Sequence, residues 1–467
     1  MSQPQASLHR FETFSKHRGR DGANYAYAEA AALLESHDGV ECRFHDFTEL
    51  VRDDKVAREH LSGCDVVVSC VGPHAFMYFY LREKLGLDFR IIRDVRTGLW
   101  NGYLLQEYLV APYLRDGDSV VYPSAFARDL FGLAYPGTAP ASRHVCYPLT
   151  KWFPPVGSRP RRDTFRVGYV GRLTSDKGFA SALRLLVDLR RRRPGKYELA
   201  AIGEGRGRHG NDALVRSILG ADLTGFSWVR PVTGPGLWDQ YRALDLVFFP
   251  STSNLETFGR VLLEASHAGV PVVASDHAAA SELLPAESLV PTRYVTDRRF
   301  SVHYGTALGD VDTGPIADAL AAGEIPPRAR AHLDYADDAR RFVDLVRWGN
   351  GSEPMVGRKV GTPVEAAFRR RLQLFDFPPL LDVDAANAAI GRLRTVFTGL
   401  HRRRTMSYWG SLAYLFAVSE NRDKTLGFMR RSVLRGEDFT NIGGVDLQLA
   451  HLIRYYPSFT IGASHEQ

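Results

Sequence analysis

Two glutamates, Glu256 and Glu264, stand eight residues apart in the run Leu255-Glu256-Thr257-Phe258-Gly259-Arg260-Val261-Leu262-Leu263-Glu264-Ala265. A carboxylate accepts hydrogen bonds through two oxygens, so a pair of them suits vicinal hydroxyls. The run follows the apolar stretch 246–249 and then Pro250-Ser251, a layout that reads as strand, loop, helix. Gly259 would open the helix, and the unsatisfied N–H groups near Phe258 and Gly259 can meet an anion. Glu256 falls in the loop ahead of that helix. Glu264 falls slightly more than two turns further on at about 3.6 residues per turn, so the two carboxylates are expected to face a similar way.

A second group lies in Val170-Gly171-Arg172-Leu173-Thr174-Ser175-Asp176-Lys177-Gly178. Gly171 allows a sharp bend at the end of a strand. Arg172 offers a fork matched to phosphate, and Lys177 adds a point charge. Alone, the two read equally well as surface cations near a turn. Beside a carboxylate pair they read as the counter-charge of a diphosphate. His74, in Val71-Gly72-Pro73-His74-Ala75, can donate and accept toward a sugar or simply pack. Gly22 sits in the loop Arg18-Gly19-Arg20-Asp21-Gly22-Ala23. Its arginines suit a phosphate or an anionic acceptor, and a plain surface loop fits as well. Asp94 and Arg96 are candidates for the rim of the same cleft. The glycines 203, 205 and 207 lack dinucleotide-fingerprint spacing, and no G-x-G-x-x-G opens either half, which disfavours an NAD-dependent dehydrogenase. Cys42, Cys64, Cys70 and Cys146 form no CxxC pair, and no Asp-x-Asp lies beside the glutamate motif. No metal site is expected, and the cysteines read as small buried apolar side chains.

The elements that must position these groups alternate between β and α. Strand-like runs cover 9–15, 39–44, 65–71, 89–92 and 119–122 in the first half, with an Ala-rich helix at 24–36. A second series covers 165–170, 197–202, 246–249 and 270–274, with a helix at roughly 257–268. Continuous apolar strands separated by helices imply parallel, doubly wound sheets. The Pro-, Gly- and charge-rich stretch 150–160 reads as a linker. Segments 363–375, 383–401 and 407–435 carry helical periodicity, and Tyr408, Leu412, Leu415 and Phe416 form an apolar stripe read as core packing, with an interface or membrane-surface helix as the other reading. The expected division is therefore 1–155, 156–345 and a helical extension over 346–467.

A chain of 467 residues exceeds one ordinary domain and suits two or three. Hydrophobic residues at 45% and charged residues at 24% exclude large-scale disorder. The net charge of +6 suits an anionic ligand. The Arg runs at 190–193 and 402–404 lack interleaved aromatics and fall on helix-like segments, so nucleic-acid binding is not expected. Residues 1–20 are polar and charged, and no apolar run reaches the ~20 residues that span a bilayer. A cytoplasmic protein without signal peptide or transmembrane segment is expected.

The spacing Glu256-x7-Glu264, in register with its preceding strand, Phe258-Gly259 and Gly269-Val270-Pro271-Val272-Val273, resembles glycosyltransferase family 4, whose members are retaining enzymes of GT-B fold. The likeness covers about residues 165–290 well and 60–150 loosely. Gly171-Arg172 and Lys177-Gly178 resemble the family's GR…KG segment, and Asp118 to Ser124 with Arg128 resembles its D-x-V-x-x-x-S strand. The resemblance implies a fold of two Rossmann-like doubly wound domains, an N-terminal one for the acceptor and a C-terminal one for the nucleotide sugar. It implies that Arg172 and Lys177 hold the donor diphosphate, Glu264 the ribose and Glu256 the transferred sugar. Gly22 would lie near the phosphates and His74 near the sugar, although the first loop lacks a clean Gly-Gly pair and His74 is displaced by about three positions from the family pattern. The donor would be a nucleotide-diphosphate sugar acting as substrate, with no cofactor and no metal. The acceptor would be a small molecule, a glycan or a protein, and an oligomer is compatible with the extension. Two other readings remain open at this point: a non-catalytic nucleotide-sugar-binding partner subunit, and a GT-B enzyme of other chemistry such as an epimerase or phosphorylase.

Overall fold

A computed structural model describes residues 6–11, 32–36, 40–45, 50, 53–69, 76–96, 98, 107, 110–134, 143–148, 162–203, 211–232, 235–295, 306–327, 335–349, 382–388 and 390–391. In the first half, strands β1 (Ala6–Phe11) and β2 (Val40–His45) pair in parallel. Strands β3 (Val66–Ser69), β4 (Arg90–Asp94), β5 (Ser119–Tyr122) and β6 (Arg143–Val145) form a parallel sheet in sequence order, and β1 runs beside β3. Helices α1 (Asp54–Leu61), α2 (Phe76–Leu85) and α3 (Ala125–Ala134) connect them. β1 opens at Ala6, three residues ahead of the expected start at His9, because its register with β2 begins at Ala6 opposite Val40.

The first sheet is clamped by a buried ion pair. Arg82 of α2 donates to both oxygens of Asp118, at 2.7 and 2.8 Å. The same guanidinium donates to the carbonyls of Phe89 and Tyr113, while the Asp118 carboxylate accepts the N–H groups of Ile91 and Arg115. One bidentate pair thus ties a helix to the starts of two neighbouring strands. Both charges are buried, and the six bonds offset the desolvation that burial imposes.

The second half contains β7 (Phe165–Val170), β8 (Tyr197–Ile202), β9 (Phe226–Val229), β10 (Leu246–Phe249), β11 (Val272–Ser275) and β12 (Leu289–Val290) in one sheet. Its order is β12-β11-β10-β7-β8-β9, and every pairing is parallel. The chain begins in the middle at β7, winds outward to β9, returns to β10 beside β7, and winds out the other way. Helices α4 (Phe179–Arg192), α5 (Asn211–Leu219), α6 (Pro235–Arg242) and α7 (Arg260–His267) lie among these strands. Alternate residues enter separate cores. Val167, Tyr169, Leu199, Ala201, Leu246 and Phe248 pack with α4. Ala200, Ile202, Val247 and Phe249 pack with Leu262 and Leu263 of α7. Both sheet faces are covered, which explains the unbroken apolar runs.

After β11 the chain forms an antiparallel pair, β13 (Thr292–Tyr294) and β14 (Gly309–Val311), and then α8 (Gly314–Ala322), which packs on α4. Helix α9 (Tyr335–Trp348) follows. Most of it falls within the expected second unit, yet Phe342, Val343, Leu345 and Val346 pack on Val66, Val68, Ile92 and Val121 of the first sheet. Arg90 donates to the Val346 carbonyl at 2.7 Å, placing a cation at the helix's C-terminal end. Asn387 accepts a bond from Tyr113 at 2.8 Å, so the described part of the extension also meets the first half. The stripe from Tyr408 to Phe416, the segments 363–375 and 407–435 and the linker 150–160 lie outside the described residues. Cys64 and Cys146 are buried thiols. No helix among the described residues is long and apolar enough to cross a membrane.

Replacing Asp118 by Ala leaves Arg82 charged, buried and without its carboxylate. The expected loss, read by denaturant unfolding, is about 3–5 kcal/mol. A loss under about 1 kcal/mol would show that the pair does not hold the first sheet together.

Candidate functional site

The winding reverses between β7 and β10, and the helices that follow these adjacent strands pack in separate cores, so the crevice at the strands' C-terminal ends is a topological switch point. Gly171 turns the chain out of β7 at φ +146°. Gly178 caps α4 at φ +73°, and a Cβ there would lie 2.3 Å from the Pro250 carbonyl at the end of β10. Only glycine lets the two loops meet so closely.

The crevice brings together the cations and one of the carboxylates expected from the sequence. Lys177 Nζ lies 2.6 Å from Glu256 Oε2, with both side chains about 15% exposed. Arg172 is 41% exposed and lies 3.3 Å from Asp176 Oδ2. Asp176 is itself buried and accepts a 2.6 Å bond from Ser253 Oγ. The Ser253 carbonyl accepts the Glu256 N–H at 2.9 Å and His277 Nε2–H at 2.9 Å. Burial pushes the His277 imidazole down to about 4, so it is neutral near pH 7. The loop 251–257 is polar yet almost wholly buried. The neighbouring segment satisfies it through an antiparallel bridge from Ser253 to Ala307, a bond from the Asn254 N–H to the Thr306 carbonyl, and a bond from the Thr306 N–H to the Asn254 side-chain Oδ1.

Glu264 sits one step deeper. Gly259, at φ +88°, is the N-cap of α7, one residue ahead of Arg260. Glu264 Oε2 accepts a 2.6 Å bond from Tyr241 of α6, and Arg260 Nε lies 2.8 Å from Oε1. Burial raises the Glu264 carboxyl above its usual range, while Arg260 and the Tyr241 bond oppose that rise. The two glutamates therefore have separate partners, Lys177 across the crevice for one and Tyr241 with Arg260 for the other. Phe258 is buried, with its ring 5.7 Å from that of Tyr147 of the first half.

A seam joins the halves along this crevice. Ser124 Oγ donates to the Thr257 carbonyl at 2.6 Å and caps α3 through the Ala127 N–H. Glu282 of the second half accepts the N–H groups of Ala125 and Phe126, at the start of α3, and the Tyr147 hydroxyl, each at 3.0 Å. A carboxylate at a helix N-terminus is favourably placed. Burial nevertheless raises the Glu282 carboxyl. The Phe126 ring meets His277 edge-on at 5.1 Å.

Asp94 and Arg96 are not rim residues. Arg96 Nε donates to Asp94 Oδ2 at 2.8 Å, and both side chains are almost fully buried. Nearby Gly98 approaches the backbone of Leu255 so closely that a Cβ would lie 2.3 Å from its Cα. His74 and Gly22 lie outside the described residues. Asp176, Ser253, His277 and Glu282 were not singled out from the sequence. Asp176 adjoins Lys177 and Ser253 follows β10, so their positions offered a signal, whereas Glu282 offered none. No group of three or more His, Cys, Asp or Glu among the described residues could hold a metal ion.

Residues 155–301 match the family model described as "Glycosyl transferases group 1". A D-inositol 3-phosphate glycosyltransferase of Kribbella flavida is 37% identical over 123 residues, 25% of this chain and 28% of the relative. The enzyme of the same description from Stackebrandtia nassauensis is 29% identical over 203 residues, 42% and 41% of the two chains. The chain thus spans less than half the length of these relatives. A glycosyltransferase structure from Rickettsia africae aligns over 80% of this chain and 98% of its own at 13% identity, with a TM-score of 0.51. The apo lipopolysaccharide outer core galactosyltransferase WaaB aligns over 74% and 97% at 15% identity, with a TM-score of 0.50. The fold is GT-B, an α/β architecture with Rossmann-like parallel sheets, as expected.

The neutral His277 makes stability depend on pH. Its folded value near 4 lies below the unfolded 6.5, so its contribution is full above pH 6.5 and is lost as pH falls toward 4. The expected loss over that window is on the order of 3 kcal/mol. Comparison of wild type with His277→Gln isolates it, because Glu264 and Glu282 titrate in both proteins. Equal pH slopes for the two in urea unfolding would contradict the assignment.

Proposed function

We propose that the protein is a glycosyltransferase that moves a sugar from a nucleoside-diphosphate donor to an acceptor hydroxyl, with retention of anomeric configuration and without a metal. The observation that carries this reading is the meeting of Arg172, Lys177 and Glu256 at the switch between β7 and β10, with Glu264 on the adjoining helix. The group 1 match over 155–301 covers the same residues and supports it.

In this reading the diphosphate lies against Arg172, Lys177 and the N–H groups near Phe258 and Gly259. Glu264 holds the ribose hydroxyls and Glu256 those of the transferred sugar. Lys177 and Glu256 neutralise each other, and the donor exchanges this pair for two contacts of its own, phosphate to Lys177 and hydroxyl to Glu256. The acceptor, a small molecule, a glycan or a protein, enters from the first half, where His74 would meet the sugar. The bond from the anomeric carbon to the phosphate oxygen breaks, and a bond to the acceptor oxygen forms on the same face. The departing phosphate takes the acceptor's proton, and the two cations stabilise its developing charge. Because Arg172 and Lys177 supply that counter-charge, the reaction asks nothing of a divalent ion.

Calorimetry with UDP, GDP, ADP and dTDP should find one that binds, and Glu264→Ala should weaken it by about 1–3 kcal/mol. Binding of none of the four would overturn the donor site. Turnover by the purified protein alone should survive a chelator, and coupling constants of the product should show the donor's anomer. An inverted product would sink the retaining mechanism, and a chelator-sensitive one its metal independence.

A further inference from the structure

The contacts in the crevice form a closed ring. Asp176 accepts Ser253 Oγ, the Ser253 carbonyl holds the Glu256 N–H, and the Glu256 carboxylate pairs with Lys177, the covalent neighbour of Asp176, while Arg172 joins from outside through Asp176 Oδ2. Ser253 is the fixed point of this ring. It is fully buried, bridges Ala307, accepts the Leu255 N–H on its hydroxyl, and accepts His277 Nε2–H on its carbonyl. It therefore ties together the loops that leave β7, β10 and β11.

Asp176 is an expensive member of the ring. It is 1% exposed, and its Oδ1 has no hydrogen-bond partner among the described residues. A carboxylate buried with one oxygen unsatisfied is a poor stabilising device. Its useful product is the orientation of what touches Oδ2, namely the half-exposed Arg172 and the buried Ser253. We propose that Asp176, acting through Arg172 and Ser253, is a positioning residue that presets the cation fork and the Glu256 loop for a donor diphosphate. The inference rests on the donor-site reading given above and assigns the setting of that site to a residue outside its contact set.

Two effects oppose each other here. Removing the Asp176 charge makes the crevice more positive and by itself favours an anion. Removing it also frees the long Arg172 side chain, which must then be ordered when the phosphate binds. Positioning by Asp176 requires the second effect to be the larger. The probes are whichever of UDP, GDP, ADP and dTDP binds wild type most tightly, and the matching nucleoside monophosphate. Asp176→Ala should weaken the diphosphate about tenfold and the monophosphate less than about twofold, with Asp176→Asn between because its amide oxygen still accepts. Arg172→Met with Asp176→Ala should lose clearly less than the sum of the two single losses, the mark of residues acting as one unit. Ser253→Ala keeps the carboxylate and removes its shortest contact. It should weaken the diphosphate selectively too, which preserves the test if Asp176→Ala does not fold.

Unchanged or tighter diphosphate binding in Asp176→Ala would overturn the proposal, as would equal weakening of both nucleotides or additive losses in the double variant. Failure of wild type to bind any of the four nucleotides is a different result, which removes the donor-site reading itself.

Discussion

β7 and β10 are hydrogen-bonded neighbours, with Leu246 opposite Val167, although two strands and three helices separate them along the chain. The site depends on this pairing. It sets the loops after the two strands side by side at a switch point, where two cations and a carboxylate converge. The approach of Gly178 to the Pro250 carbonyl then fixes how closely the loops may draw together. A side chain at Gly178 would push them apart and separate Lys177 from Glu256.

Burial sets the electrostatic character on both sides of the crevice. In the first half, Arg82 pairs with Asp118 and Arg93 with Glu107 in the interior, both guanidinium groups also donate to backbone carbonyls, and burial raises the Glu107 carboxyl against the pull of Arg93. In the second half, Glu264 is nearly as deep, held by Tyr241 and Arg260. Its upward shift and the downward shift of His277 have the same origin, since desolvation disfavours whichever form is charged. Arg172, Lys177 and Glu256 stay partly exposed, where the proposed donor would reach them.

The two halves are joined by directional bonds rather than by an apolar face alone. Glu282 reaches from one half to the first N–H groups of α3 in the other, and Ser124 caps that helix while bonding the loop that carries Glu256. Helix α9 adds a second attachment, returning the chain to the first sheet with Arg90 at its end. Movement of one half against the other would therefore be felt directly by the Glu256 loop.

The doubly wound fold and the residues that converge at the switch point were legible in the sequence, because buried parallel strands write unbroken apolar runs and the glutamates and cations keep fixed spacings beside them. The short strands β6 and β9 were not singled out. β6 has three residues, and β9 is a half-buried edge strand whose Phe226–Val229 includes Ser227 and Trp228, so neither writes such a run. Periodicity also cannot name a helix's partner, and so α9 was grouped with the unit it follows rather than the sheet it covers. By itself, then, the sequence determined the alternation of elements and the residue types at the switch point, since both follow from local period and spacing. Only the tertiary structure decided that Ser253 meets an aspartate 77 residues away and that Glu282 caps a helix 157 residues away. Such contacts depend on which strands become neighbours, and no local pattern of side chains encodes that.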